Sequence, residues 1–127
     1  MEGYLYISGI VPAQALTNSY VAGNVLDTKI KQDRLALLLA ATLGSLTSIQ
    51  YKIEYSTDQV TWYQETASSV SGGTATDTQV EHTISADGNY HLVIPLVDRY
   101  VRVSVKGTGT VTGSSITVNA ALADVDA

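Results

Sequence analysis

Segments in which apolar and polar side chains alternate are the feature of this sequence that most limits its fold. In residues 49–55 every second residue is Ile or Tyr, and Gln, Lys and Glu stand between them. Residues 99–106 and 115–122 follow the same pattern. Because successive side chains of a β-strand point to opposite faces, each segment predicts a strand with one buried face and one wet face.

Turn-forming Gly, Ser, Asn and Asp residues separate about seven or eight such segments, at intervals of roughly 8–12 residues. This spacing predicts an all-β fold, an antiparallel β-sandwich of the jelly-roll kind. With 127 residues, 45% of them apolar and 15% charged, the chain suits one globular domain. We expect that domain to span residues 16–127 and to follow an extended N-terminal arm, residues 1–15.

The arm has two interpretations, and the sequence leaves both open. Tyr4, Leu5, Tyr6 and Ile7 favour an extended backbone, and Pro12 lacks the N–H that a central strand needs. The segment can add a strand to the sheet edge of a neighbouring subunit, which makes these four residues the predicted intersubunit contact. Alternatively, it is the first edge strand of its own domain.

Residues 34–43 are ambiguous between helix and strand. Ala and Leu are good helix formers, but a continuous apolar run is also typical of a strand buried on both faces. We interpret it as a strand because its neighbours are strand-like. A second sheet would then cover one face, and the arm or another subunit would cover the other.

Three connections complete the prediction. Residues 16–30 form two strands joined by a Gly23-Asn24 turn, and residues 67–78, rich in Ser, Thr and Gly, form a mobile loop at an interface. Residues 79–95 form a hairpin whose loop of odd length groups the mostly apolar residues on one face. These residues are Val80, His82, Ile84, Tyr90, Leu92 and Ile94.

Composition argues against most reactive chemistry. The chain has no Cys, and its two histidines, His82 and His91, are predicted on opposite sides of the hairpin, where they cannot share a metal. Asp58 and Asp87 lie at predicted turns, where a carboxylate accepts backbone hydrogen bonds. No nucleophile elbow or phosphate-binding glycine loop occurs. We therefore predict no catalytic, metal or cofactor site, and no enzyme activity.

The charge limits the partners. A net charge of -5 and a pI of about 4.7 argue against nucleic acid and anionic membranes. The longest apolar run, residues 35–41, is far too short to span a bilayer, and we expect no signal peptide.

Residues 56–62 resemble the Asp-box turn of sialidase-like propellers, although the segment is one residue shorter and lacks the glycine. We use it as evidence for a hairpin. Trp62 and Tyr63 follow, and alternation places one ring in the core and the other near the surface. An exposed ring can stack on a sugar, although stabilisation of the sheet or of a subunit interface is the favoured interpretation.

From about residue 35 to residue 122 the order of signals resembles small β-sandwich virion proteins of tailed bacteriophages. The resemblance is carried by KIEYSTDQVTWYQE, a Ser/Gly loop, SADGNYHLVIP and RYVRVSVKGTGTVTGSSITV. It implies a structural role in a virion, often as a trimer, with no catalytic residues. Residues 1–34 lie outside it.

The predicted function is therefore a non-enzymatic phage virion protein, assembled in the host cytoplasm and decorating the head. Its expected partners are copies of itself, as a homotrimer, and other virion proteins such as a major capsid protein. The alternative is a carbohydrate- or receptor-binding module on a tail or fibre, which would use Trp62 or Tyr63.

Overall fold

The structure, a computed structural model, describes residues 3–28, 34–96 and 98–124, and in these ranges it contains strands and turns but no helix. The predicted all-β class is confirmed. Twelve strands occur in this part of the chain, more than predicted, because several span only two or three residues. They are β1 (Gly3–Gln14), β2 (Val21–Ala22), β3 (Leu26–Asp27), β4 (Arg34–Thr42), β5 (Leu46–Ser56), β6 (Tyr63–Gln64), β7 (Thr66–Ser71), β8 (Thr74–Gln79), β9 (His82–Ile84), β10 (Gly88–Pro95), β11 (Tyr100–Gly109) and β12 (Ser115–Asp124).

The strands form two antiparallel sheets and a separate hairpin. Sheet A has the order β1-β12-β4-β10. In sheet B, β11 and β5 are central, with β2 and β3 along the free side of β11 and β6 and β9 along the free side of β5. The strands β7 and β8 pair only with each other. The two large sheets pack face to face, as predicted for a β-sandwich.

Aliphatic side chains from four long strands fill the space between the sheets. The alternate positions predicted to face inward on β11 and β12 are buried, which confirms those two faces. Each such side chain contributes roughly 1.5–3 kcal/mol through the area it removes from water. The largest fully buried members on these strands are Leu35, Leu37, Leu39, Ile49, Ile53, Val101, Val103, Val105, Ile116, Val118 and Leu122.

Residues 3–14 form an edge strand of their own domain. β1 pairs with β12 from Gly3↔Asp124 to Gln14↔Ile116, with irregularities around Gly9 and Pro12. The structure therefore supports the interpretation of the N-terminal segment as the first edge strand of its own domain, and not as a separate arm. Met1 and Glu2 lie outside the described residues, as do the side chains of Tyr4 and Leu5.

The predicted hairpin turn at Gly23-Asn24 is wrong. β2 and β3 both pair with β11, and the register shifts by one residue between Ala22↔Ser104 and Leu26↔Val101, so the segment between them is a bulge in one interrupted strand. Lys29 and Ile30, at the end of that prediction, lie outside the described residues.

The bulge closes one side of the sandwich. Gly23 N donates to Val103 O at 2.8 Å in sheet B, and Asn24 N donates to Ile10 O at 2.7 Å in sheet A. Asn24 Nδ2 also donates to Gly9 O at 3.1 Å. These bonds tie β1 to β11 across the gap between the sheets.

Two predicted connections are corrected. β9 pairs with β5 in sheet B and β10 pairs with β4 in sheet A, so residues 79–95 cross between the sheets and are not a hairpin. Residues 67–78, predicted as a mobile loop, belong to the regular β7–β8 hairpin. Its turn residues, Gly72 and Gly73, have φ angles of 58° and 80°, the left-handed conformation that two-residue hairpin turns require.

Residues 34–43 are a strand, as predicted. Cover of its second face by the N-terminal segment is wrong, because that segment is an edge strand of the same sheet, whereas cover by another subunit stays a prediction. Leu35, Leu37 and Leu39 face the core, whereas Leu38 on the opposite face is only half-buried and Ala40 is exposed. Nothing in the described part of the chain covers that second face.

We expect Gly23→Ala to lower the free energy of unfolding by about 3 kcal/mol, the upper end of the range for overpacking. A Cβ atom at this position would lie 2.4 Å from Ile10 O and 2.9 Å from Val103 O, both backbone atoms that hold the sheets together. Urea denaturation measures the change. The matched control is Gly72→Asn, at a turn with nothing within 4 Å, which should change stability far less. Equal effects would contradict this account of the closure.

Candidate functional site

The outer face of sheet B carries charged side chains that are paired and largely covered. Glu54 is buried, and its Oε1 accepts from Arg102 Nε at 3.1 Å and from Ser104 Oγ at 3.0 Å. On the same two strands, β5 and β11, Gln50 Oε1 accepts from Thr108 Oγ1 at 2.6 Å. The predicted wet face of β5 is therefore a network of satisfied hydrogen bonds.

Tyr20 covers the middle of this face, a role that the sequence analysis missed. Two cations contact its ring, with Lys52 Nζ 4.5 Å and Lys106 Nζ 4.9 Å from its centroid. Its hydroxyl donates to Glu81 Oε2, which also lies 3.7 Å from Lys106 Nζ. Burial, together with the hydrogen bond to Glu81, raises the pKa of Tyr20. The Tyr20 phenol therefore stays neutral to a higher pH than an exposed tyrosine, and contacts with two lysines and Glu81 hold the ring on this face.

Trp62 and Tyr63 differ in their surroundings. Trp62 is half-buried, with the Arg102 guanidinium 4.2 Å from its ring centroid, so one face of the indole is already in contact. Tyr63 is 63% exposed at the edge of sheet B. Of the predicted pair, the surface ring is confirmed as Tyr63, but the prediction of a core ring is wrong, because Trp62 is only half-buried.

The segment that resembles an Asp-box turn is a tight turn held by two side chains. Asp58 Oδ1 accepts from Val60 N at 2.8 Å and Thr61 N at 3.0 Å, while Ser56 Oγ accepts from Gln59 N at 2.8 Å. The backbone donors of Thr61 and Val60 lower the pKa of Asp58. The predicted turn role of Asp58 is thus confirmed.

Asp87 also acts at a turn, but it acts on another strand. Its Oδ1 accepts from Leu43 N at 2.7 Å, at the end of β4. The carboxylate therefore joins the turn before β10 to the loop that follows β4.

The two histidines lie on different sheets. His82 on β9 stacks on Tyr51, with ring centroids 4.7 Å apart, and its Nε2 lies 2.8 Å from Glu65 Oε1. It is hydrogen-bonded as predicted, but half-buried at the rim of the core. His91 on β10 is exposed on the outer face of sheet A. Among the described residues, no three His, Cys, Asp or Glu side chains are grouped so that they could hold a metal ion.

The outer face of sheet A has the opposite character. A row of four apolar side chains, Tyr6, Ala121, Ala36 and Val93, crosses all four strands in register. Tyr6 is 51% and Val93 53% exposed. We define the apolar face as these four residues together with Leu38 and Ala40. The apolar run of residues 35–41 was the sequence signal for it.

A shallow depression of about 270 Å³ lies beside this row. Leu38 forms part of its floor, between Asn119 on β12 and His91 on β10. Asn119 is not free, because its Oδ1 accepts from Gly9 N at 2.7 Å and holds the irregular part of β1. The depression is thus an apolar recess with a polar margin.

Of the four predicted contact residues in the N-terminal segment, one is described on the apolar face. Tyr6 belongs to the apolar face, whereas Ile7 is half-buried and packs against the core. Tyr4 and Leu5 are placed only by their backbone, at Tyr4↔Ala123 and Leu5↔Leu122. Their role in subunit contact stays a prediction.

Comparisons with known proteins give little guidance. No model of a known protein family matches the chain, and no curated protein matches it. Four chains among solved structures match. One, described as "Bacillus endospore appendages form a novel family of disulfide-linked pili", is 14% identical, with a TM-score of 0.49 over 98% of this chain and 86% of that chain. In the described ranges of this protein, no helix is long and apolar enough to cross a membrane.

We expect Arg102→Met to lower the free energy of unfolding by about 2 kcal/mol, because it leaves the buried Glu54 carboxylate without its cation. The value is below that of a fully buried pair because Arg102 is partly exposed. The double variant Arg102→Met/Glu54→Gln should recover most of the loss in urea denaturation. A double variant as unstable as the sum of its single variants would contradict the coupling.

Alkaline pH should destabilise the protein through Tyr55. Burial, aided by the negative charges of Glu65 and Asp98, raises the pKa of Tyr55 to about 12. An unfolded tyrosine ionises near pH 10, so the stability from this group is complete below pH 10 and is lost as pH rises from about 10 to 12. At pH 11, the free energy of unfolding of Tyr55→Phe should therefore have fallen less from its pH 9 value than that of wild type, by about 1 kcal/mol. Equal pH dependence in urea denaturation would count against this placement of Tyr55.

Proposed function

We propose that this protein is a non-enzymatic structural subunit that assembles with further copies of itself through the apolar face of sheet A. The observation that carries the proposal is the contrast between the two outer faces. The middle of the outer face of sheet B is covered by Tyr20 and Trp62 from its own chain. The apolar face of sheet A has no cover from the described chain.

The residue types on the apolar face favour close contact with another chain. Ala36, Ala40 and Ala121 are small, so another backbone can approach the sheet closely. Tyr6 and Val93 are large and about half-exposed, and burying the rest of each would contribute about 1 kcal/mol. Contiguous exposed apolar surface of this kind is typical of protein–protein contacts.

The described chain also supplies an element to cover such a face. The β7–β8 hairpin is exposed along its whole length, and an isolated two-stranded hairpin is only marginally stable in water. Because the chain has both an uncovered apolar face and an exposed hairpin, the hairpin of one copy can cover the apolar face of a second copy. This argues for a copy of the chain, and not an unrelated protein, as the partner.

Repetition gives such an assembly its durability. Each contact is modest, but a symmetric assembly makes every contact many times, and the effective concentration within it is high. A protein of this kind needs shape and contact surfaces and no reactive group.

The more specific predictions, which name a virus and its partner proteins, do not follow from these contacts. Decoration of a tailed-phage head, a homotrimer and binding to a major capsid protein rest on the sequence resemblance and stay predictions. The tail- or fibre-associated carbohydrate module is less well supported, because Arg102 already covers one face of Trp62 and leaves Tyr63 as the one free ring of the pair.

The test is the oligomeric state, measured by size-exclusion chromatography with light scattering. Wild type should be an oligomer, and Ala40→Glu should raise its dissociation constant by about tenfold or more, because a carboxylate without a partner would be buried in the contact. Thr83→Glu is the matched control, since it adds the same charge at an exposed position on the outer face of sheet B. A wild-type monomer at high concentration, or equal effects of the two variants, would overturn the proposal.

A further inference from the structure

The β7–β8 hairpin extends from the sandwich as a separate element. Its six residue pairs run from Thr66↔Gln79 to Ser71↔Thr74, and every residue in both strands is exposed. At about 3.4 Å per residue, the hairpin is roughly 20 Å long. It therefore presents both of its faces and both of its edges to a neighbour.

The base of the hairpin is fixed, so its direction is defined. Val80 N donates to Glu65 O at 2.8 Å, and Gln64 Nε2 donates to Val80 O at 2.9 Å. His82 Nε2 is paired with Glu65 Oε1 on the body of the protein. The entropy lost when the hairpin docks is therefore smaller than for a free loop.

One side chain stands out on the hairpin. Val70 is 74% exposed and is the only large apolar residue in β7 and β8, where the remaining residues are Ser, Thr, Ala, Asp and Gln. Its cross-strand partner is Ala75, which is small and does not cover it. Val70 is thus an isolated apolar projection on a polar element.

The depression on sheet A fits such a projection. Its volume of about 270 Å³ exceeds that of one branched aliphatic side chain, and Leu38 and Ala40 provide apolar contact. His91, Asn89 and the Nδ2 group of Asn119, whose Oδ1 already accepts from Gly9 N, can hydrogen-bond with the hydroxyl groups of a Ser- and Thr-rich strand.

The charges of the hairpin and of the outer face of sheet A are compatible with docking. The outward positions of β4 and β10 contain one cation, Arg34, and no carboxylate. In β7 and β8 the one charged residue is Asp77, which accepts a hydrogen bond from Ser68. A hairpin placed on this face meets no like charge, and Asp77 and Arg34 have opposite signs.

We propose that the β7–β8 hairpin of one copy docks on the apolar face of another, with Val70 in the depression beside Leu38. The inference rests on the proposed self-assembly and specifies its contact. Each copy offers one hairpin and one face, so the contact is head-to-tail. Such contacts form a closed ring if the rotation between copies closes, and a filament if it does not.

Cysteine cross-linking tests this contact directly, because the natural chain has no Cys. Val70→Cys and Leu38→Cys variants are mixed in equal amounts under mild oxidation and analysed on a non-reducing gel. We expect disulfide-linked dimers of the two variants to form at least tenfold faster than in a mixture of Val60→Cys with Leu38→Cys. Val60 is the matched control, since it is an apolar residue 81% exposed on a different turn.

Two results would overturn the docking. Equal rates in the two mixtures would show that Val70 has no preferred access to Leu38. Rapid dimerisation of Leu38→Cys alone would show instead that the apolar faces of two copies pack against each other.

A second measurement separates the docking from the proposed function. Val70→Asp should weaken the wild-type oligomer about tenfold in light scattering, whereas Val60→Asp should not. If Ala40→Glu dissociates the oligomer and Val70→Asp leaves it intact, self-assembly stands and the hairpin docking is wrong. If wild type is a monomer and both cross-linking mixtures react equally, both proposals are wrong.

Discussion

Each strand of a two-layer sandwich has two faces, and only one can lie in the core. Leu35, Ile53, Val103 and Ile116 meet between the sheets and exclude water, and this packing holds the fold together. The surface properties of the protein then depend on whether the outer face of each sheet is covered by other parts of the chain. The two sheets differ in this cover, and that difference carries the functional argument.

The outer face of sheet B is partly covered by side chains of the same chain. The small side chains of Ala22 and Ser104 lie opposite each other on β2 and β11, beside the ring of Tyr20 and its cations. Glu54 is neutralised where it is buried, by Arg102 beneath Trp62. Aromatic rings and cations here serve to complete a surface. The same groups, seen only in a sequence, resemble a ligand-binding site.

Alternation of side chains predicted which way residues face, but not which strand they pair with. Ile84 and Ile94 were assigned to one face of one hairpin, and both are indeed buried in the same core. They reach it from opposite layers, because β9 joins sheet B and β10 joins sheet A. A criterion based on a shared apolar face is satisfied equally by both arrangements, so a local pattern cannot choose between them.

The other errors have similarly physical causes. The sequence predicts a turn at Gly23 because glycine permits turns, whereas in the structure its missing Cβ allows Ile10 and Val103 to approach. The composition of residues 67–78 predicts a loop because Ser, Thr and Gly are common in loops, whereas the structure has the β7–β8 hairpin there. In contrast, the excess of apolar residues at 35–41 predicts a strand that needs cover on both faces, and within the described chain the structure covers only one of them.

In the proposed assembly, the composition of the apolar face would limit contact between copies before their matching surfaces meet. Alanine at Ala36, Ala40 and Ala121 gives a flat surface with little apolar area per residue, and a net charge of -5 keeps copies apart at long range. A face built from large aliphatic residues would bind more strongly and less selectively. For the proposed contact, a flat face with one recess would favour a partner of matching shape, so its selectivity would come from geometry and its strength from repetition.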